Sequence, residues 1–320
     1  LASSSAASDV YKRQDQEREL PVGIEDNSET EGVLGMKWEI KEDLLCYRVN
    51  LTHGMLDEKK ESTKRNLLSV TNSIYDPLGL LTPFTTKAKI VIRSVWAHEP
   101  KLDWDTPLPE QICKDWSEVK SKIPDLVKLK FPRALKPMIA IGKPILIIFS
   151  DGSEHAYGAV AYLRWELENG SYDVRLIMAK SRMAPLKTVD IVRIELSGAV
   201  MSTRLRATIQ KEMQIQFDRV IHLVDSEIVH AMIHRQSYGF NTYVANRVGE
   251  IHQSTDSSEW AWLPGKMNVA DITTRGSHPD DLESESDWQK GPQFLTTVLQ
   301  EWPIRFEVNK SVSLPETKET

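Results

Sequence analysis

Four acidic residues in the second half of the chain stand where carboxylates are unusual. Asp151 and Asp225 each follow an apolar run of strand length. Glu195 lies in the helix-like stretch IVRIELSGAVMSTRL, on the side where its neighbours are apolar or glycine, and Asp271 lies in NVADITTRG. Burying a carboxylate is costly unless it is paired or binds a metal ion. The order strand, helix, strand, helix therefore predicts a pocket that collects negative charge to hold divalent cations.

Each of these acids also has an ordinary structural explanation. Asp151 precedes Gly-Ser and could simply end a strand in a turn, and Asp225, before Ser226, could cap a helix. Glu195 could form a buried salt bridge with an arginine, and Asp271 could be a first-turn acid favoured by the helix dipole. The functional interpretation gains weight because strand ends and helix faces can converge in one compact sheet-and-helix domain.

The chemistry of such a cluster follows from its charge. Carboxylates held close together raise one another's pKa unless cations neutralise them. Hard oxygen ligands of this kind select Mg²⁺ or Mn²⁺. Two such ions about 4 Å apart would clamp the attacking water and the leaving oxygen of a phosphodiester. The residues alone therefore predict a two-metal nuclease, without defining its substrate.

The elements that must position these acids begin near residue 143. GKPILIIFSDGS, YGAVAYLRWEL and YDVRLIMAKSR read as three strands with short connections, which predicts an antiparallel meander. A long helix from about Asp190 to Met213, the strand RVIHLVD, two helical pieces, the strand EWAWLPG and a helix containing Asp271 follow. The order βββ-α-β-α-α-β-α predicts a mixed sheet with helices on its faces.

The first half of the chain has a different pattern. VLGMKWEIKEDLLCYRVNL predicts two short strands joined by the turn-like KED, and two helices follow, separated by DPLGLLTP and ended by Pro100. Residues 101–142 carry five prolines among short helical pieces, which suits a tether between domains. We expect residues 1–14, LASSSAASDVYKRQ, to be vector or adaptor sequence, and the chain to be part of a longer protein.

The bulk composition limits the possible classes of protein. A hydrophobic content of 40% and a charged content of 27% over 320 residues are typical of a globular protein. The net charge of −6 excludes a globally basic nucleic-acid coat, although it allows a local basic face. Cys46 and Cys113 form no CxxC pair, which excludes a disulfide framework and fits a reducing compartment. No apolar stretch approaches the roughly 18 residues that cross a membrane.

Four sequence blocks make the interpretation more specific. FSDGSEHAYGAVAY, KSRMAPLKTVDIVRIELSGAV, IHLVDSEIVHAMI and WLPGKMNVADITTRG resemble, in order over residues 143–276, the ribonuclease H domain of Bel/Pao-type LTR retrotransposon polyproteins. The last block follows the family pattern N-x-A-D-x-x-S/T-R-G. The resemblance implies an α/β, ribonuclease H-like mixed five-stranded sheet flanked by helices. LGMKWEI and KRNLLSVTNSIYDPLGLLTPFTTKAKIVIRSVW resemble the end of the reverse transcriptase palm and its connection in these polyproteins, which implies these segments over residues 15–100. WQKGPQFL resembles the stretch that follows the ribonuclease H domain, which implies a linker toward a missing integrase over residues 277–320.

The resemblance assigns roles to the four acids. It implies Asp151, Glu195 and Asp225 as the core ligands of two Mg²⁺ or Mn²⁺ ions. Asp271 would be the fourth ligand, and Asp151 would bridge both ions. The implied reaction cuts the RNA strand of RNA–DNA hybrids during reverse transcription. The implied partners are the hybrid and the remainder of the Pol polyprotein, polymerase and integrase, in cytoplasmic virus-like particles and without a membrane.

Two positions depart from the family pattern. Val192 replaces a usual proline, and Trp262 replaces a usual histidine, which predicts slower turnover with the metal site kept. Ser226 and Asn268 could orient ligands by hydrogen bonds. A non-catalytic nucleic-acid-binding or scaffold module, and a DNA-directed nuclease of the same fold, stay open as alternatives.

Two further groups of residues invite a functional reading. His230 and His234 have the spacing of a helical zinc pair but lack the acid of HExxH and an evident third ligand. Lys180, Arg182 and Lys187 could contact phosphates or simply form a solvated face.

Overall fold

A computed structural model describes residues 30–33, 36–48 and 61–317 of the chain, and the predicted vector-derived stretch 1–14 lies outside them. Within the described residues, nine strands form two sheets. The first sheet contains, in spatial order, β1 (Thr30–Val33), β2 (Met36–Glu39), β3 (Leu44–Tyr47) and β4 (Lys130–Pro132). The second contains, in spatial order, β7 (Tyr172–Met183), β6 (Ala156–Leu167), β5 (Ala140–Gly152), β8 (Arg219–Val224) and β9 (Trp260–Trp262).

Helices lie between and around the two sheets. The α-helices are α1 (Lys64–Ser73), α2 (Thr82–Ala97), α3 (Glu110–Lys122), α4 (Ile191–Glu212), α5 (Glu227–Ile233), α6 (Thr242–Ser254), α7 (Asp271–Arg275) and α8 (Asp287–Lys290). Short 3-10 turns span Ile123–Lys128, Ser237–Gly239, Ser257–Glu259, Gly265–Met267, Pro279–Leu282, Gln293–Thr296 and Leu299–Glu301. No described helix combines the length and the apolar character that crossing a membrane requires.

The five-stranded sheet has the mixed topology that the sequence predicts. β5, β6 and β7 form an antiparallel meander, β8 pairs parallel to β5, and β9 pairs parallel to β8. α4 begins after the Asp190 cap, whose carboxylate accepts a hydrogen bond from the Val192 N–H (2.8 Å), and it ends before Met213. The order βββ-α-β-α-α-β-α is confirmed, and with it the ribonuclease H-like α/β fold class.

The central strand, β5, explains why this sheet needs helices on both faces. Its residues from Leu146 to Phe149 are fully buried. A continuous apolar run is typical of a strand that is covered on both sides. α4 packs on one face, while α2 and α7 pack against the other. Because both faces are covered, the polar ends of the strands are the places where a site can open to solvent.

The four-stranded sheet is larger than the sequence predicts. β2 and β3 pair antiparallel across the predicted turn, which ends at Asp43 with a φ of 54°. β1 extends this sheet on one side and β4 on the other, and neither strand is predicted. β4 is only three residues long and contains Pro132, so it carries too little alternation to be recognised. The assignment of this region to a polymerase palm stays a prediction.

The stretch between the two sheets is packed along much of its length. Ile112, Trp116 and Val119 of α3 are buried, and they belong to the same apolar cluster as Phe149 and Tyr162 of the second sheet. The predicted tether over residues 101–142 therefore contains a helix that contributes to a shared core. The domain boundaries themselves stay predictions.

The segment after α7 also packs against the second sheet. Trp288, Leu295 and Trp302 are buried in the shared core. The Tyr162 hydroxyl donates to the carbonyl of Trp288 (2.7 Å), and the Trp288 indole N–H donates to the carbonyl of Leu80 (2.8 Å). This polar, acidic stretch thus joins β6 to the first half of the chain. Its role as a linker toward an integrase stays a prediction.

Replacing Trp288 tests whether this segment contributes to stability. We expect Trp288→Ala to lower the free energy of unfolding by about 3–5 kcal/mol, because it leaves a large cavity and an unpaired Leu80 carbonyl. Val298→Ala, at a 42% exposed side chain in the same segment, should change it by less than about 0.5 kcal/mol. Urea denaturation of the full chain measures both values. A loss of stability in Trp288→Ala as small as that in Val298→Ala would show that the segment does not stabilise the fold.

Candidate active site

The four predicted acids lie around one cavity. Asp151, Glu195, Asp225 and Asp271 line a cavity of about 620 Å³, together with residues of the β5–β6 turn and of α7. The cavity opens at the carboxyl ends of β5 and β8, the edge that the sequence predicts. The structure therefore brings together all four acids, although they are separated by up to 120 residues in the sequence.

The parallel pairing of β5 with β8 sets the positions of two acids. Ser150 lies opposite Val224 in the sheet register. Because both strands run in the same direction, the next residue of each, Asp151 near the end of β5 and Asp225 just after β8, lies at the same edge of the sheet. Neighbouring strands lie about 4.8 Å apart, so this register places the two acids side by side.

Close packing of α4 on the end of β5 sets the position of Glu195. A Cβ added at Gly152 would lie 2.5 Å from the backbone nitrogen of Glu195, and one added at Gly198 would lie 2.4 Å from the backbone carbonyl oxygen of Asp151. Real Cβ atoms do not approach backbone atoms so closely. The two glycines therefore allow direct backbone contact between helix and strand, and this contact brings Glu195 to the cavity.

Asp271 occupies the first turn of α7, where the helix dipole favours an acid. Its carboxylate is paired with the Arg275 guanidinium one turn later, with 2.5 Å between Arg275 Nε and Asp271 Oδ1. The Asp271 side chain is 42% exposed, whereas Asp151 is 8% exposed. Arg275 also lines the cavity and places a positive charge at its rim.

Asn268 ties α7 to the sheet. Its side-chain amide donates to the Ser150 carbonyl (3.0 Å), and its side-chain oxygen accepts from the Ala270 N–H (3.2 Å). The same side chain hydrogen-bonds Asp225, while Ser226 hydrogen-bonds Glu195. The contacts of Asn268 and Ser226 are those expected of residues that orient acidic side chains.

Thr274 is a site residue that the sequence analysis missed. Its side chain is fully buried, and its hydroxyl donates to Asp151 Oδ2 over 2.6 Å. The family pattern N-x-A-D-x-x-S/T-R-G includes Thr274 at its S/T position, and this was the one indication in the sequence. A threonine within a short helix gives no other indication that it contacts a strand more than a hundred residues away.

Burial and mutual repulsion change the acid–base properties of the cluster. Burial, then the charges of Asp225 and Asp151, raise the pKa of Glu195 to about 7 against a hydrogen bond from Ser226. Burial, then the charge of Asp151, raises the pKa of Asp225 to about 6. Burial also raises the pKa of Asp151, although the bond from Thr274 opposes this effect. A bound divalent cation would offset both the cost of burying these ionised carboxylates and their mutual repulsion.

The donor set fits a hard divalent cation, because it consists of carboxylate oxygens in one cavity. Among the residues that the structure describes, however, no group of three or more His, Cys, Asp or Glu side chains is already arranged to hold a metal ion. The Asp271 carboxylate is paired with the Arg275 guanidinium, and it would have to leave this pairing to bind a cation with the other acids. The side chains would have to adjust on binding.

Trp262 lies beside the acids without lining their cavity. It is paired with Val224 in the sheet, and its indole N–H donates to the Asp225 carbonyl (2.7 Å). The backbone of Arg305 bonds to that of Trp262, and its guanidinium lies 4.8 Å from the ring centroid. The residue at the expected histidine position thus supports the backbone of Asp225 and carries no titratable group.

The other residues singled out in the sequence do not line the acidic cavity. His230 Nε2 lies 3.3 Å from the Trp260 carbonyl, and His234 Nδ1 lies 2.9 Å from the His230 carbonyl, so both rings bind backbone. Across the described ranges, no metal-binding group includes them. The three basic residues suggested as phosphate contacts are exposed side chains: Lys180, Arg182 and Lys187.

The raised pKa of Glu195 makes stability depend on pH. A carboxylate with a folded pKa of about 7 and an ordinary value of 4.5 destabilises the fold above pH 7, and this cost disappears below pH 4.5. Without divalent cations, we expect Glu195→Gln to raise the free energy of unfolding by about 1–3 kcal/mol at pH 8 and to leave it unchanged at pH 4. Chemical denaturation of both proteins across this range measures the difference. A difference that does not vary with pH would contradict the raised pKa.

Three comparisons place the chain among known proteins. A protein-family profile described as "Pao retrotransposon-like RNaseH-like domain" matches residues 63–226. This match begins upstream of residue 143 and ends before Asp271, so it includes the helices α1 to α3 and three of the four acids. No curated protein matches the chain.

Several solved structures are similar in part. The N-terminal RNase H domain of rv2228c from Mycobacterium tuberculosis, solved as a fusion with maltose binding protein, has 12% identity and a TM-score of 0.30 over 40% of this chain and 87% of that chain. RNase H1 from the archaeon Halobacterium salinarum has 10% identity and a TM-score of 0.25 over 40% and 89%.

A foamy viral protease-reverse transcriptase dRH in complex with double-stranded DNA has 10% identity and a TM-score of 0.41 over 74% of this chain and 38% of that chain. At these identities and TM-scores, the structural similarities add nothing to the assignment. The family match covers half of the chain, including the first two of the four sequence blocks and the start of the third. The chain therefore belongs to the Pao retrotransposon-like RNaseH-like domain family.

Proposed function

We propose that this chain hydrolyses the RNA strand of RNA–DNA hybrids by two-metal phosphodiester cleavage during retrotransposon reverse transcription. The observation that carries the proposal is the convergence of the four acids on one cavity. Family membership supports the substrate class, because the family is a retrotransposon ribonuclease H-like domain. Recognition would rest on the shape of the hybrid and on the RNA 2′-hydroxyl, not on base sequence.

Each residue of the cavity would have a defined task. The ligands of two Mg²⁺ or Mn²⁺ ions would be Asp151, Glu195, Asp225 and Asp271. Such ions supply Lewis-acid activation of water and neutralise charge on the phosphodiester. Asn268 and Ser226 orient Asp225 and Glu195, and they favour the ionised carboxylates against burial. Arg275 keeps a positive charge at the rim, where a nucleic-acid backbone would pass.

A non-catalytic nucleic-acid-binding or scaffold module is the second candidate. Trp262 favours it, because this side chain offers no proton-transfer group where the family pattern has histidine. The absence of a preformed metal-binding group among the described residues favours it as well. A DNA-directed nuclease of the same fold would use the same acids on another substrate.

Family membership also supports the partners in this proposal. The chain would act with the remainder of a Pol polyprotein, including a polymerase and an integrase. It would work in cytoplasmic virus-like particles, where reverse transcription of the element takes place.

Asp151→Asn in the full chain tests the proposed chemistry. We expect it to abolish cleavage of a labelled RNA–DNA hybrid in Mg²⁺ or Mn²⁺, because a neutral amide replaces a charged ligand. The loss should exceed the roughly tenfold to hundredfold that follows removal of a residue that only supports a ligand. Asp218→Asn, at an exposed acid before the other end of β8, should cleave like the wild type.

Comparison of hybrid with duplex DNA, and of metal with EDTA, distinguishes the three candidate functions. EDTA should stop cleavage, and RNA should be the only strand cut. Equal cleavage of duplex DNA would favour the DNA-directed nuclease. A folded wild-type chain that binds hybrid without cutting it would favour the non-catalytic module, and an Asp151→Asn variant that cuts at the wild-type rate would refute the assignment of the acids.

Trp262→His tests whether the missing histidine limits turnover. We expect kcat to rise about tenfold or more, because a placed general acid or base contributes roughly 10²–10⁴-fold. Trp262→Phe removes the indole N–H that binds the Asp225 carbonyl without adding a titratable group, so it should not accelerate cleavage. Steady-state cleavage at saturating hybrid measures kcat for all three proteins. A gain of the same size in Trp262→Phe would show that the tryptophan hinders the site by its bulk.

A further inference from the structure

Thr274 makes a buried contact with the acid at the end of the central strand. Its side chain is fully buried, and Asp151 is 8% exposed. The 2.6 Å distance between Thr274 Oγ1 and Asp151 Oδ2 is typical of a hydroxyl that donates to a charged carboxylate. The same hydroxyl lies 3.0 Å from the Asp271 carbonyl, but it has only one proton to donate. The shorter, charge-assisted bond to Asp151 is the stronger of the two.

The main chain of Thr274 is attached to the same strand end. Its carbonyl accepts a hydrogen bond from the Ser153 hydroxyl (3.1 Å). The Ser153 oxygen in turn accepts from the N–H groups of His155 and Ala156 and so closes the β5–β6 turn. Side chain and backbone of Thr274 therefore hold two successive parts of one strand end, the acid and the turn after it.

The place of Thr274 in α7 connects two of the acids. Thr274 follows Asp271 by three residues, which puts both on neighbouring positions of one helix face. A contact that holds Thr274 against Asp151 therefore also fixes the first turn of α7, which carries Asp271. Threonine is branched at Cβ, so its packed side chain has little freedom to turn its hydroxyl elsewhere.

From this geometry we infer that Thr274 is a positioning residue, which holds one oxygen of Asp151 and fixes the separation of Asp151 from Asp271 for cation binding. The inference rests on the proposed function of the acids. Thr274 does not touch substrate, since its side chain is fully buried. Its task is to leave the other Asp151 oxygen facing the cavity, where a cation would need it.

Thr273 provides a matched control in the same helix. It is also fully buried, and its hydroxyl donates to the Ala270 carbonyl (2.7 Å) without contacting an acid. Its role is packing, since a Cβ added at Gly158 would lie 2.3 Å from its oxygen. Loss of either hydroxyl removes one buried hydrogen bond, but only the loss at Thr274 takes a hydrogen-bond donor away from Asp151.

The test compares Thr274→Val, Thr274→Ser and Thr273→Val in the full chain, with MnCl₂ alone as the probe. Isothermal titration calorimetry measures Mn²⁺ affinity, and thermal unfolding without metal measures stability. We expect Thr274→Val to bind Mn²⁺ about 10- to 100-fold more weakly, as is typical when a residue that orients a metal ligand is removed. Thr274→Ser keeps the hydroxyl and should restore affinity to within about threefold, and Thr273→Val should match the wild type.

Cleavage of the hybrid gives a second, independent readout. In Thr274→Val, kcat should fall while KM for the hybrid stays unchanged, because the substrate contacts are intact. Wild-type Mn²⁺ affinity in Thr274→Val, with a loss of thermal stability equal to that of Thr273→Val, would overturn the inference and leave a purely structural role. Thr274→Ala, which places no methyl group against the carboxylate, replaces Thr274→Val if that variant does not fold.

The wild-type chain separates this inference from the proposed function. Mn²⁺ binding without cleavage of the hybrid overturns the nuclease, while the affinities of the Thr274 variants still decide the positioning role. Absence of Mn²⁺ binding in the folded wild type overturns both the metal site and the role of Thr274.

Discussion

The structure depends on one constraint, which is that like charges must be held together in a partly buried place. Asp151, Glu195 and Asp225 repel one another, and burial adds to the cost of their ionised forms. If these acids were on flexible loops, their side chains would move apart. Here each acid is attached to a rigid element, through the parallel register of β5 with β8 and through the glycine contacts of α4 with the strand end. The backbone positions of these acids are therefore fixed by the sheet and by α4, while their side chains can still adjust.

The surrounding core compensates for this local cost. A folded domain retains only a small net stability, so a cluster of unfavourable charges requires extensive packing elsewhere. The shared apolar cluster under the five-stranded sheet draws on α1 to α3 and on the segment around Trp288. Helices of the first half and the stretch after α7 thereby support a site whose cavity they do not line. This arrangement agrees with a family match that begins at residue 63, well before the first strand of the meander.

The sequence predicts the elements with strong periodicity and the acids that interrupt them. The strands of the meander, the limits of α4 and the position of Glu195 on its apolar face all follow from local patterns. Features that depend on one distant contact leave no such pattern. β4 is too short to alternate, and the bond from Thr274 to Asp151 is a single hydroxyl contact between distant residues. The stretch around Trp288 is mostly polar and acidic, so its composition does not predict that a few of its apolar residues are buried.

The long separation along the chain between Asp151 and Thr274 has a consequence for the order of folding. Their contact spans 123 residues, and the entropy of closing such a loop must be lost before the bond contributes. The β5–β6–β7 meander needs only neighbouring residues and can form first. A growing chain would therefore complete most of its sheet while the acidic strand end is still open. On this argument, Asp271 joins the other three acids last, because α7 follows them in the chain and contacts the strand end over the longest separation.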